Sequence, residues 1–402
     1  IENIRIYTTS ENGHSVNIES ADNVTLDGLT IRSSGNAVHA WKGAENVIIK
    51  NCDITTVKAP DATSAKNAIN LLSNSSMTIT DSKISANEYG GTGIHIGSDN
   101  DEANDNVNAR LTIDGNTAIT ANAYGIAGNG LFHGTYIEIK DNVDIAVDNF
   151  AIYHPQVGEL SISDNVQITG ASGIEMRAGT LTVSGSPVVT ATDEVFDTSP
   201  LASGPRFAGV ALGVSRYFNE SDKGVTLDIS GGTFAAKDGG YAFYEKDIAV
   251  SDTAADDNMD FSFENASFNG ALSSENEEGF VESGTFSKVV DKSYIADGSD
   301  LYVTEAGTLE VAPEGSAPAV SSKVVATIGS KGYGSVSDAV SNAKENDTIK
   351  LYGDVTENVT INKSVTLDLN GYTLENKNTT SGNYLLIEGG NSEAENIKVT
   401  IR

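Results

Sequence analysis

The amino-acid sequence predicts an all-β solenoid, a fold in which short strands wind into coils that stack along one axis. The first observation is that Val24–Ile31 recurs as Val47–Ile54, with each apolar position matched 23 residues later. The second is that the same outline begins again at residues 77, 111, 137, 160 and 181. Repeats of about 20 to 50 residues are typical of solenoids. The third is that no helical period separates these strands, which argues against a fold of alternating strands and helices.

Each coil is predicted to hold two or three short strands. The first two form the repeated outline, in which a corner of Gly, Asn or Asp separates an alternating apolar strand from a second short strand. Such residues adopt the left-handed or bridging backbone conformations that sharp bends need. The third strand has its own signature, in which a small residue is followed by an apolar, a variable and an apolar residue. This signature appears at residues 37–40, 68–71, 93–96, 125–127, 151–153, 173–176, 209–212 and 242–244.

Stacking of these coils is a physical requirement. A strand of four or five residues buries only one face, so a single coil cannot stabilise itself, whereas stacked coils share an apolar column and hydrogen-bond along the axis. Alternation therefore predicts that Val24 and Leu26 lie inside, above Val47 and Ile49, while Thr25 faces outward.

The charge of the chain limits its partners. Its 402 residues include 25 Lys and Arg but 56 Asp and Glu, a formal net charge of −31. Such a surface repels phosphate groups, which argues against nucleic acid and anionic lipid as partners. No apolar run approaches the roughly 20 residues that span a bilayer, so we expect no membrane insertion. The only cysteine, Cys52, occupies an apolar corner position and is predicted to be a small buried residue.

Composition also suggests a compartment. The chain is acidic and turn-rich, with 40 Gly, as in extracellular bacterial β proteins, and we expect it at the bacterial cell surface or in the cell wall. Because residues 1–7 already read as a strand, the chain is expected to be a monomeric fragment of a larger multidomain protein.

The pattern changes near residue 280. Short strands in residues 284–311 are predicted to close the first solenoid, so that it occupies residues 1–312, and residues 313–322 read as a linker. Residues 323–402 would begin a second, truncated solenoid with a capping helix over residues 335–344. Four apolar side chains at helical spacing predict this helix: Val336, Ala339, Val340 and Ala343.

This C-terminal pattern resembles a known family. Ser335–Lys344 followed by Asn346–Leu351, Glu357–Ile361 and Ser364–Gly371 is similar to the start of right-handed parallel β-helix domains, of the pectate-lyase-like type, in large cell-surface and adhesin proteins of Gram-positive gut bacteria. Residues 284–298 resemble the segment that closes such a domain. The resemblance implies a right-handed parallel β-helix for nearly the whole chain. It implies little about activity, because lyases, glycosidases, phage tailspikes and adhesins share this architecture.

The variable positions of the third strands are predicted to form one outward column. Its members are read as His39, Asn70, His95, Ala127, Tyr153, Glu175, Ala211 and Tyr244, with Trp41, His154 and Arg177 beside it. Neighbouring coils lie about 4.8 Å apart, so residues distant in sequence become neighbours on this wall. Aromatic and polar groups together suit a groove for a glycan or a peptide. The candidate ligand-binding residues are His39, Trp41, Asn70, His95, Tyr153, His154, Glu175 and Arg177, although every solenoid must expose some such side chains.

Catalytic and metal sites have weaker support in the sequence. A glycosidase needs two carboxylates about 5 to 9.5 Å apart, whereas the column holds only Glu175, and its pairing with Arg177 falls short of the carboxylate cluster of a pectate lyase. No catalytic residue is therefore assigned. Asp99, Asp101 and Asp105 could supply oxygen ligands for Ca²⁺, but their loop lacks the Gly and terminal Glu of an EF-hand. A solvated acidic loop is the favoured interpretation, and no cofactor is predicted.

Three functions remain open on the sequence alone. The first is a surface binding module or adhesin that presents an outward face, or its loops, to a host or microbial glycan or surface protein. The second is a carbohydrate-active enzyme, a polysaccharide lyase or glycoside hydrolase that uses the face from His39 to Arg177. The third is a passive spacer that projects another domain from the cell.

Overall fold

The computed structural model describes residues 4–57, 66–88, 90–99, 105–130, 132–196, 204–215, 224–246, 259–375, 385–389 and 397–402. The chain forms two compact units, Ile1–Glu277 and Glu278–Arg402. The division therefore falls before the closing segment, whereas the sequence placed the boundary at residues 313–322.

The first unit is a parallel β-helix with three faces, which we call faces A, B and C. Face A consists of Arg5–Thr8, Thr30–Ser33, Asp53–Thr56, Lys83–Ala86, Ala118–Ala121, Asp144–Val147, Gln167–Gly170, Val188–Ala191, Thr233–Ala236 and Ala266–Asn269. Face B consists of His14–Glu19, Asn36–Trp41, Asn67–Leu71, Thr92–Ile96, Tyr124–Ala127, Phe150–His154, Ser172–Met176, Val210–Val214, Tyr241–Glu245 and Ala271–Ser273. Face C consists of Thr25–Asp27, Val47–Lys50, Ser76–Thr80, Asp105–Asp114, Phe132–Ile139, Val157–Ile162, Gly179–Val183, Val225–Ile229 and Met259–Phe263.

The register of the coils follows the spacing of the sequence repeat. Leu26 pairs with Ile49 on face C and Ile31 pairs with Ile54 on face A, so both pairs keep the offset of 23 residues. Where the repeat lengthens, the added residues lie between strands, and Leu111 still pairs with Met77 on face C. The predicted solenoid of short parallel strands is therefore confirmed, and each coil contributes one strand to each of three faces.

The core is a set of apolar ladders inside the coils. On face A one ladder runs through successive paired side chains: Ile31, Ile54, Ile84, Ile119, Ile145, Ile168, Val189, Phe234 and Phe268. The members from Ile31 to Phe268 are at most 1% exposed. The branched side chains give way to stacked Phe rings near the end, where Phe234 and Phe268 have centroids 5.3 Å apart. Cys52 is also buried, at 3% exposure, as predicted.

Small residues at the start of each face B signature are explained by close packing against the next coil. A Cβ atom on Gly125 would lie 2.6 Å from the Ala151 carbonyl oxygen and 2.6 Å from a methyl group of Ile145. In the same way, a Cβ atom on Gly93 would lie 2.6 Å from the Gly125 carbonyl oxygen. A larger side chain there would displace either the neighbouring strand or the face A ladder.

The second unit combines an antiparallel closing segment with the beginning of another parallel coil. Its described elements are Gly284–Phe286, the 3-10 helix Lys292–Tyr294, Ser299–Thr304, Leu309–Pro313, Ser321–Lys323, Ala326–Ile328, Lys331–Tyr333, the α-helix Val336–Asn342, Thr348–Leu351, Val355–Thr356, Val359–Ile361, Val365–Asp368, Leu374–Glu375, Leu385–Ile387 and Val399–Ile401. Leu309–Pro313 pairs antiparallel with both Gly284–Phe286 and Ser299–Thr304. Parallel pairing begins at Thr348–Leu351, which pairs with Val365–Asp368.

The predicted capping helix is confirmed, although it is shorter than residues 335–344. Ser335 is its N-cap and accepts a hydrogen bond from the Asp338 backbone N–H at 3.0 Å. The Glu357 carboxylate accepts from the N–H groups of Val336 and Ser337 at 2.8 and 3.0 Å, which satisfies two more donors of the first turn. The apolar stripe, including Val340, packs against the buried strands of this unit. Among the described residues, no helix is long and apolar enough to cross a membrane.

Candidate functional site

The predicted column lies on the outer side of face B. Val38 and Ala40 are fully buried in the core, and alternation turns His39, between them, to the other side. Register places ten residues in this column: Asn17, His39, Asn70, His95, Ala127, Tyr153, Glu175, Gly213, Tyr244 and Ser273. The prediction of Ala211 was wrong by two residues, because Glu175 pairs with Gly213. Residues 211–214 match the same signature as residues 209–212, so the sequence permitted both alignments.

Side chains in and beside the N-terminal part of the column form a cluster of aromatic rings and one amide. We call this cluster the His39 patch: His14, His39, Trp41, Asn70 and His95. The imidazoles of His14 and His39 stack with centroids 3.9 Å apart and an interplanar angle of 6°. Trp41 lies beside His39, with ring centroids 5.4 Å apart. His14 is exposed and Trp41 and His95 are half-buried, so this part of the column reaches the surface.

Side-chain amides extend the His39 patch along the stack. The Asn70 amide lies 3.3 Å from Nδ1 of His39, and the Asn67 amide donates to the Asn70 oxygen at 2.7 Å. The Asn36 oxygen accepts from the Asn67 backbone N–H at 3.0 Å. These amides fix the patch as an ordered polar surface. His14, Asn36 and Asn67 were not among the predicted residues. Asn36 and Asn67 each stand immediately before the small residue of a signature, and this shared position could have identified those two residues.

The stacked imidazoles of His14 and His39 are predominantly uncharged at neutral pH. Burial, together with the smaller effect of the neighbouring His14, lowers the pKa of His39 to about 4. Burial also lowers the pKa of His14. A neutral imidazole both donates and accepts a hydrogen bond. The His39 patch therefore suits a ligand rich in hydroxyl or amide groups.

The C-terminal part of the column is covered. Glu175 is 2% exposed and accepts from the backbone N–H groups of Arg206, at 2.9 and 2.8 Å, and Phe207, at 3.2 Å, and from the Ser215 hydroxyl. Burial raises the pKa of Glu175, and these hydrogen bonds and Arg177 oppose the rise. Because its carboxylate oxygens accept these hydrogen bonds, Glu175 anchors Arg206 and Phe207, which precede the strand Val210–Val214, to the outer side of face B.

Arg177 and Tyr153 extend this anchor. The Arg177 guanidinium donates to the Tyr153 hydroxyl oxygen at 2.8 Å, to the Gly204 carbonyl at 3.0 Å and to the Ser215 carbonyl at 3.3 Å. Burial raises the pKa of Tyr153 to about 12, against the opposing effect of Arg177. The structure therefore brings Tyr153, Glu175 and Arg177 together, but beneath a loop.

Aromatic packing covers the following coils. Phe196 contacts Tyr241 and Tyr244 with ring centroids 4.7 Å away in each case, in edge-on geometry. Phe207 approaches Tyr244 at 4.9 Å between centroids. The predicted continuous groove from His39 to Arg177 is thus interrupted, and its accessible part is the His39 patch.

His154 does not belong to the outer wall. It pairs with Met176 on the core side of face B and is fully buried. Its Nδ1 atom lies 3.3 Å from the Ala178 carbonyl oxygen, and burial lowers its pKa to about 4. The expectation that His154 binds a ligand was therefore wrong, because the period of two along a strand turns a residue beside the column inward.

The acidic loop can be followed only at its first residue. Asp99 accepts a hydrogen bond from the Lys42 backbone N–H at 3.2 Å. Asp101 and the side chain of Asp105 lie outside the described residues. Within the described ranges, no group of three or more His, Cys, Asp or Glu side chains is placed to hold a metal ion.

Comparisons of the chain with protein-family models, curated proteins and solved structures gave no match. The function of the chain is therefore inferred from the geometry of face B and from the chemistry of its side chains.

Proposed function

We propose that this protein is a binding module of a bacterial cell surface, an adhesin-type β-helix that holds a glycan or a surface protein on the His39 patch. The observation that carries the proposal is the ordered cluster of stacked imidazoles, Trp41 and amides on the accessible part of face B. Flat rings and neutral donors and acceptors on one wall are what sugar rings and their hydroxyl groups require. This chemistry favours a glycan over a protein.

Two further observations support a binding role. The one carboxylate of the predicted column, Glu175, is engaged by residues 204–215, so it is not available as an acid, base or nucleophile. The net charge of −31 and the resemblance to cell-surface β-helix domains fit an extracellular module.

The test uses the fact that Trp41 is the only tryptophan of the chain. A glycan array and a panel of host and microbial surface proteins are screened first with the full chain. Each hit is then titrated while the intrinsic fluorescence of Trp41 is recorded. Ligand on the His39 patch changes the Trp41 emission, because the indole lies at the binding surface.

Variants locate the binding. We expect His14→Ala to raise Kd by about tenfold, which corresponds to about 1.4 kcal/mol, since it removes an exposed ring of the stack. Thr120→Ala, on the outer side of face A, is the matched control and leaves Kd unchanged. A chain that binds nothing in either screen would be a spacer. Binding that Thr120→Ala weakens and His14→Ala leaves intact would place the ligand on another face.

A further inference from the structure

The second unit contains a cleft of about 480 Å³, which we call the Tyr352 cleft. Three segments line it: residue 292 with residues 295–300, residues 323–325 and residues 352–354. The cleft lies entirely within Glu278–Arg402 and shares no residue with face B. Its size falls within the range of small-molecule sites, roughly 300 to 1,000 Å³.

The Tyr352 ring is held by two hydrogen bonds in the lining of the Tyr352 cleft. The Tyr352 backbone N–H donates to the Val325 carbonyl at 2.8 Å, and its hydroxyl donates to the Val290 carbonyl at 2.7 Å. Burial raises the pKa of Tyr352, so the hydroxyl stays protonated and keeps donating. Because the polar tip is occupied, what the ring offers to the cleft is its apolar body. Val324, at 2% exposure, adds an apolar side chain to the lining.

The charged groups of the cleft differ in whether they are already paired. Lys323 forms an ion pair with Asp300 at 2.5 Å, and Asp354 accepts the Thr373 backbone N–H at 2.8 Å. The Lys292 ammonium group lies 5.1 Å from the centroid of the Tyr372 ring and forms no ion pair with any residue that the structure describes. Lys292 is therefore an available donor at the rim, held beside the turn at Gly353.

The balance of charge restricts the chemical class of the ligand. An anion in the cleft would face three carboxylates, those of Asp297, Asp300 and Asp354, and a cation would face the ammonium groups of Lys292 and Lys323. A hydroxyl group can accept from an ammonium and donate to a carboxylate, so a neutral polyhydroxylated molecule satisfies both. The apolar face of a sugar ring also packs against an aromatic ring.

We propose that the Tyr352 cleft is a second binding site, independent of face B, and that it takes a neutral mono- or disaccharide. Lys292 donates to the hydroxyl groups of the sugar, Asp297 and Asp354 accept from them, and Tyr352 supplies the stacking surface. The chain then carries one carbohydrate site in each of its two units.

The experiment is calorimetric and NMR titration of the full chain with neutral mono- and disaccharides, and in parallel with uronic acids and amino sugars. We expect saturable binding of at least one neutral sugar, with an affinity that changes little between about 0.05 and about 0.5 M NaCl, because no net charge is bound. Binding only of charged sugars, or of none, would overturn the proposal.

Exposed lysines supply a matched pair of variants. Lys292→Ala should raise Kd for the neutral sugar at least fivefold, whereas Lys331→Ala, also exposed and in the same unit, leaves Kd unchanged; both keep the wild-type melting temperature. Equal affinity in the two variants would contradict the role of Lys292. His14→Ala distinguishes the two sites: if it abolishes the binding that Lys292→Ala leaves intact, the sugar is on face B and the Tyr352 cleft is not its site.

Discussion

His39 is held between the ring of His14 and the amide of Asn70, with only 9% of its surface exposed. Burial disfavours the imidazolium form, which is why its pKa falls to about 4. At neutral pH this keeps two rings stacked 3.9 Å apart without charge repulsion. The same residue is thus both a structural contact and a part of the proposed binding surface.

The lowered pKa predicts a loss of stability in acid. Between about pH 6.5 and pH 4 the unfolded chain binds a proton at residue 39 and the folded chain does not, so the free energy of unfolding falls as the pH falls through this window. Urea unfolding of the wild type and of His39→Gln at several pH values measures the effect. We expect the stability of His39→Gln relative to the wild type to rise as the pH drops from 7 to 4, whereas a constant difference would contradict the lowered pKa.

Contacts of single residues also explain why several predicted site residues do not lie on an accessible surface. Tyr153, Glu175 and Arg177 are column residues or neighbours, as expected. The groups that bond to Glu175 and Arg177 over the face belong to Gly204, Arg206 and Ser215, which lie 27 to 40 residues along the chain. No local pattern in the sequence encodes such pairing. His154 was misplaced for a simpler reason, because a shift of one residue along a strand exchanges the outer side for the core.

At the scale of the element, the third strand of each coil depends on its first small residue. The neighbouring coil leaves no room for a Cβ at Gly125, which would lie 2.6 Å from two atoms. Ala at the equivalent positions 37, 68 and 151 is accommodated with full burial. The space available thus varies from coil to coil along the same face.

Gly125→Ala should therefore destabilise the first unit by about 1 to 3 kcal/mol, through displacement of the adjoining strand. The matched control is Gly13→Ala, because a Cβ at residue 13 has nothing within 4 Å and the loss of backbone freedom in the unfolded chain makes that change neutral or slightly stabilising. Both free energies come from urea unfolding followed by circular dichroism. Equal stabilities of the two variants would show that the face B strands can separate at no cost.

At the scale of the whole molecule, the net charge of −31 is the dominant long-range effect. Ion pairs such as Lys42 with Glu19 and Lys50 with Asp27 have both side chains substantially exposed. Exposed pairs contribute about 0 to 1 kcal/mol each. Repulsion among the excess carboxylates therefore outweighs them and destabilises the folded chain.

Screening this repulsion should raise the melting temperature. We expect an increase when NaCl rises from about 0.02 to about 0.3 M near pH 7, since the Debye length then becomes shorter than the spacing of most surface charges. The control is the same salt series near pH 4.3, the isoelectric point expected from the sequence, where the net charge vanishes and the increase should disappear. A melting temperature that falls with salt at pH 7 would mean that ion pairs dominate instead.

The sequence alone determined the coils, the capping helix and most of the register, with an error of two residues at Ala211. Paired positions such as Leu26 and Ile49 share one apolar period and one offset, and that information is local and repeated. Burial of each apolar column requires the coils to stack in that register, so a pattern of strand and corner residues was enough to predict the parallel β-helix.

Only the tertiary structure decided which part of the outer wall is accessible. Residues 204–207 cover the wall at Glu175, and Phe196 packs over Tyr244, while His14 and Trp41 stay at the surface. The Tyr352 cleft likewise joins three segments that are separated in the chain. The sequence could not predict these contacts because loops between coils carry no repeat. Their contacts depend on single side chains that meet only after the solenoid has formed.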